Sequence, residues 1–149
     1  MYNFLLYAHS WLRWVILVLA LITIVKSFIG SRGGLTYSKS DKAISSAFVG
    51  CIHLMFLLGL GLYFTSPYAF NAFGGDTSVM KNATLRYWAV EHVFVMLVAI
   101  ALISIGKAKA KRATVDQEKF KKQLIFFGLG LIVMLSRIPW TETARLFRF

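Results

Sequence analysis

The chain carries one cysteine, Cys51, in 149 residues. A lone thiol excludes an intrachain disulfide, a multi-cysteine metal site and the CxxCH attachment of a c-type haem. Cys51 lies among apolar residues and reads as a small core residue. Charge is scarce, at 15% of residues, and it is clustered. The signatures of soluble enzymes are missing: there is no GxSxG, P-loop, Rossmann fingerprint, HExxH or EF-hand loop. Any reaction is therefore expected to be electron or proton transfer.

Apolar sequence is what the chain has in abundance. Hydrophobic residues make up 58% of it, and the mean hydropathy is +0.66. These values place it in the membrane class, and its length suits a single domain over 1–149. Crossing the hydrocarbon core takes about 20 mostly apolar residues. Four segments qualify: 4–28, 44–65, 86–106 and 121–140. Helices are expected for all four, because a helix makes its backbone hydrogen bonds within the segment. The expected fold is all-α, an up-and-down four-helix integral membrane bundle.

The net charge of +11 does not call for nucleic acid, because topology accounts for it. Lys26, Arg32, Lys39 and Lys42 flank the first loop. Lys107, Lys109, Lys111, Arg112, Lys119, Lys121 and Lys122 crowd the third. The second loop offers Lys81 and Arg86, and the first eight residues offer none. The positive-inside rule then predicts an N-out, C-out chain in a bacterial inner membrane, with Arg145 and Arg148 as mild opposition. The opening MYNFLLYAHSWLRW lacks a basic n-region and a cleavage site, so it reads as the first helix. In the second loop, Tyr68, Phe70 and Phe73 suggest a segment lying on the membrane interface.

The ionisable residues inside the spans converge on one level. At 1.5 Å per residue, measured from each span's basic end, the heights are roughly 25 Å for His9, 19 Å for Arg13 and 16 Å for His53. They are roughly 24 Å for Glu91, 22 Å for His92 and 22 Å for Arg137. The chain's three histidines thus fall in the outer half, one on each of three helices. His9 and Arg13 share a face as i and i+4. His92 shares its face with Ala89, Met96, Ala99 and Gly106, and His53 with Gly50, Leu57 and Gly61. Charges at such depth are costly and usually have a partner or a task.

Several chemistries fit these residues. A b-type haem needs two imidazoles at similar height on different helices, and His9 with His92 match best. His53 is the alternative ligand, or a quinone or proton site. Arg13 and Arg137 suit the propionates, and Glu91 could orient an imidazole. A copper or zinc ion would use the same imidazoles, although His53 sits lower than the other two. A proton path through Glu91 and the histidines is a further option. So is a purely structural polar layer, in a subunit of a larger membrane complex or a homo-oligomer.

HSWLRW, HLMFLLGLGLYF and LRYWAVEH, with a following span that ends in IGKAKAKR, resemble a family. Its members are small bacterial four-helix inner-membrane proteins labelled cytochrome b. The resemblance spans nearly the whole chain and extends to the wider four-helix cytochrome b and b561 class. It rests on His9 with Arg13, His53 with Gly59, and Glu91 with His92. It implies haem b and membrane electron transfer, with quinone as a candidate partner. The wider class commonly holds two haems on four histidines. Three histidines allow one bis-histidine haem and leave one over, which is too few for an electron path across the whole bilayer.

Overall fold

The structure is a computed structural model that describes residues 1–140 and Leu146. Every regular element among them is helical. Helix α1 is Tyr2–Ser31 and α2 is Lys39–Thr65. A 3-10 turn, Phe70–Gly74, lies in the loop after α2. A third rod is built from α3, Ala83–Arg86, a π-helical turn, Tyr87–Glu91, and α4, His92–Arg112. Helix α5 is Asp116–Leu135.

Local chemistry sets these boundaries. Gly33 and Gly34, at φ 95° and 83°, supply the left-handed turn after α1. Ser38 and Asp41 form a capping box at the head of α2. The Asn82 side chain accepts the Leu85 N–H and starts α3. Lys109, Lys111 and Arg112 fill the last turn of α4, while Asp116 and Glu118 fill the first turn of α5; both signs suit the helix dipole.

Three of the rods, Tyr2–Ser31, Lys39–Gly74 and Ala83–Arg112, are long and apolar enough to cross a membrane. Helix α5 is shorter in this respect than the sequence suggests. Charged residues occupy much of 116–122, and the helix stops at Leu135 rather than continuing to 140. Pro139, which lacks an N–H, disfavours a helical residue before it. The apolar remainder, 123–135, rises only about 20 Å, short of a hydrocarbon core of about 30 Å. Arg145 and Arg148 lie outside the described residues.

The long helices pack side by side in alternating directions. Helix α1 lies against α2 and α5, α4 lies against α5, and α2 touches α4 more sparingly. Ile16, Ala20, Phe48, Val49, Ile52, Ile103 and Phe127 form the shared core. Phe48 and Phe127 meet edge to face at 5.3 Å. Glycines allow closer approaches elsewhere: Gly30 receives the Phe120 ring, Gly106 receives Phe126 and Gly130 receives Ile103. Large apolar side chains such as Val18, Leu21 and Val25 stay exposed along α1, as lipid-facing surface would be.

The end that carries the basic loops is closed by a hydrogen-bond chain through every long helix. Ser27 Oγ of α1 donates to Gln123 Oε1 of α5 at 3.2 Å. Gln123 Nε2 donates to Tyr37 Oη at 2.6 Å. Tyr37 Oη lies 3.1 Å from Ser45 Oγ of α2. Lys107 Nζ of α4 donates to the same Ser45 Oγ at 2.6 Å. Gln123, Ser27 and Ser45 are buried, and each has its partner in this chain.

A histidine pair at the mouth of an apolar chamber

The other end, where α1 begins and α5 finishes, holds most of the residues singled out in the sequence. Two cavities meet there. One is a chamber of about 380 Å³ between α1, α2 and α4. Its walls include Ile52, Met55, Met96, Ile100 and Ile103, and Ile138 and Pro139 turn in over it after α5. The second, of about 130 Å³, lies beyond it and is more polar, with Tyr2, Ser10, Ser66 and Tyr68 in its wall. His9, Arg13, Gly59 and His92 border both. The larger volume falls within the range of small-molecule sites, roughly 300–1,000 Å³.

His9 and His92 face one another from α1 and α4, with ring centres 6.5 Å apart and planes at 55°. On α2, Gly59 lies beside His9: a Cβ there would sit in ordinary contact with the ring, 3.5 Å from its Nε2. His92 is oriented by backbone. Its Nδ1 lies 3.1 Å from the Arg137 carbonyl oxygen. A carbonyl only accepts, so Nδ1 carries the proton; in the neutral form of the ring the lone pair is then on Nε2. Tyr87 Oη donates to the same carbonyl at 2.9 Å.

The π-turn makes that double contact possible. In an α-helix, residues five apart point about 140° away from each other. A turn closed by i→i+5 bonds brings them onto one face. The His92 N–H bonds the Tyr87 carbonyl in this way. Tyr87 and His92 therefore reach Arg137 together. Trp88 packs 5.5 Å from the His92 ring.

Glu91 is placed differently from its expected role beside an imidazole. Its carboxylate lies between two arginines, 2.8 Å from Arg86 Nε and 3.4 Å from Arg137 Nη1. It holds the guanidinium of the residue whose carbonyl orients His92. Arg13 reaches the Leu146 carbonyl with Nη2 at 2.8 Å, and the Trp14 indole N–H donates to the same oxygen at 3.1 Å.

His53 stands apart from this group. Its ring is exposed, its Nε2 lies 3.0 Å from Ser104 Oγ of α4, and it borders neither cavity. Among the described residues, no group of three or more His, Cys, Asp or Glu is placed to hold a metal ion. The structure thus brings His9, Arg13 and His92 to one chamber, adds Glu91 and Arg137 behind His92, and leaves His53 outside. Tyr87 is the addition, and Gly59, paired with His53 in the sequence, lies beside His9 instead. The run RYWAVEH gave no signal of its π-turn.

Comparison with protein-family models, with curated proteins and with solved structures finds no match to this chain.

Proposed function

We propose that this chain is a b-type cytochrome-like electron carrier of the bacterial inner membrane. In this reading its helices form a four-helix, N-out, C-out bundle that holds haem b in the outer half. The observation that carries the reading is the His9–His92 pair. Two imidazoles sharing one metal through bonds of about 2 Å have ring centres about 6 Å apart. The observed 6.5 Å is close to that. The two rings sit on different helices, at the head of an apolar chamber. The Arg137 carbonyl fixes the His92 tautomer that leaves Nε2 as donor to a metal.

His9 and His92 would hold the iron, and His53 would lie outside the ligand set. Arg13, on the rim of both cavities, would meet the propionates. Glu91 would steady Arg137, and through it His92, rather than touch an imidazole itself. Haem bound here supplies a one-electron change at iron, with quinone as a candidate partner. The apolar wall formed by Ile52, Ile100 and Ile103 keeps water from the site and favours the less charged state.

A second reading is a structural subunit of a larger membrane complex. It is favoured by the Arg86–Glu91–Arg137 cluster, which satisfies much of the polar layer without a ligand. Oxidised and dithionite-reduced spectra of the detergent-purified protein, with a pyridine haemochrome assay, separate the two. A sharp reduced α-band at one haem per chain is expected. A colourless protein, even after haem supplementation during expression, overturns the haem reading and leaves the structural one.

A further inference from the structure

The chamber has an unequal wall. Helices α1 and α5 close it with tight packing, as do α4 and α5, but α2 and α4 touch least among the neighbouring long helices. Chamber-lining side chains on both sides of that seam are also exposed: Phe56 and Leu60 on α2, and Leu97 on α4. Below the seam the same two helices are tied by polar bridges. His53 Nε2 meets Ser104 Oγ at 3.0 Å, and Lys107 Nζ meets Ser45 Oγ at 2.6 Å. The gap is therefore pinned toward the basic end and free beside the chamber. In a bilayer it would face hydrocarbon, because the exposed residues around it are apolar.

We propose that this seam is a lateral portal, through which a membrane-dissolved amphiphile enters the chamber. The inference rests on the membrane site proposed above and adds the route and the ligand's shape. An apolar body would lie against Met55, Met96 and Ile100. A polar or anionic end would reach Arg13 and the histidine pair, where the chamber opens into the smaller, more polar pocket. Haem, with its propionates, and single-chain acidic lipids share this chemistry. His53 then has a task outside the ligand set: with Ser104 it pins the foot of the portal.

The test uses the full chain in phosphatidylethanolamine–phosphatidylglycerol vesicles with a diazirine-bearing fatty acid. After illumination, adducts are mapped by mass spectrometry. The haem-free protein is expected to carry adducts on chamber residues Met55, Met96 or Ile100, besides those on outward-facing Leu57 and Phe94. Leu60→Trp with Leu97→Trp should abolish the chamber adducts and spare the outward ones, whereas Leu54→Trp, at an exposed position outside both cavities, should change neither. Adducts confined to outward-facing residues in the wild-type chain overturn the portal. So do chamber adducts that survive the double tryptophan variant but vanish in Tyr68→Trp, which obstructs the polar pocket instead. Loading with haem distinguishes the occupants. Loss of chamber adducts on loading supports haem as the amphiphile; chamber adducts in a chain that takes up no haem keep the portal and overturn the haem reading.

Discussion

At the basic end, Ser27, Gln123, Tyr37, Ser45 and Lys107 bond to one another in a chain that ties four helices together. At the opposite end, His9 and His92 confront each other beside about 380 Å³ of chamber. Both ends bury polar groups within apolar helices, yet they use them differently. The first spends its donors and acceptors on the fold. The second fixes one nitrogen of His92 by backbone and has an open chamber beside the ring. A polar residue in a membrane-type helix is thus a binding candidate when space adjoins it, and a packing device when partners fill that space.

Substitutions at the two ends should separate accordingly. The largest effect is expected from His92→Ala or His9→Ala, each of which should abolish the Soret band of haem-supplemented protein. Helical content by circular dichroism should be retained. If either band survives unchanged, that histidine is not a ligand and the contrast between the ends fails. Next comes Gly130→Val, whose side chain meets Ile103 and the Ala99 carbonyl. Overpacking of this kind costs about 1–3 kcal/mol, read as a lower unfolding midpoint in detergent. Gln123→Leu should cost a similar 1–3 kcal/mol, by stranding Ser27 and Tyr37, and should leave any haem spectrum untouched. A spectral change in Gln123→Leu would show that the ends are not independent.

The smallest effect concerns pH. The Lys119 ammonium and the Tyr37 N–H hold the Asp116 carboxylate below its usual pKa. The charged form favours the fold, so its contribution is present above the ordinary carboxylate range and fades as pH falls through the lowered value. Thermal unfolding from pH 7 to pH 3 should show a small acid loss that Asp116→Asn removes. The site at the other end should not respond to that substitution.

The sequence made the helices legible because three of them are long unbroken apolar runs. It made His9 and Arg13 legible as a pair because four-residue spacing holds along an unbroken helix. It did not reveal that His53 faces outward. In α2 the exposed side, with Leu54 and Leu57, is as apolar as the buried side with Val49 and Ile52. Hydrophobic periodicity fades when both faces avoid water, so height could be read there but direction could not. Glu91 was recognised as out of place, but its partners depended on the π-turn and on a bend after α5. The orientation of His92 rests on a backbone carbonyl, which no side-chain pattern encodes. Gln123 did leave a signal, as an amide at the head of the apolar run QLIFFGLGLIVML.

The bond from Arg13 to the Leu146 carbonyl joins positions 133 residues apart. During synthesis, α1 therefore leaves the ribosome long before the oxygen that receives its guanidinium exists. His9 likewise waits for His92, two helices later. In a membrane, α1 would until then lie with its arginine met by water or headgroups. The chamber is consequently among the last parts of the molecule to be completed, and a translation arrest that leaves the earlier helices intact would still leave it without a closed polar end.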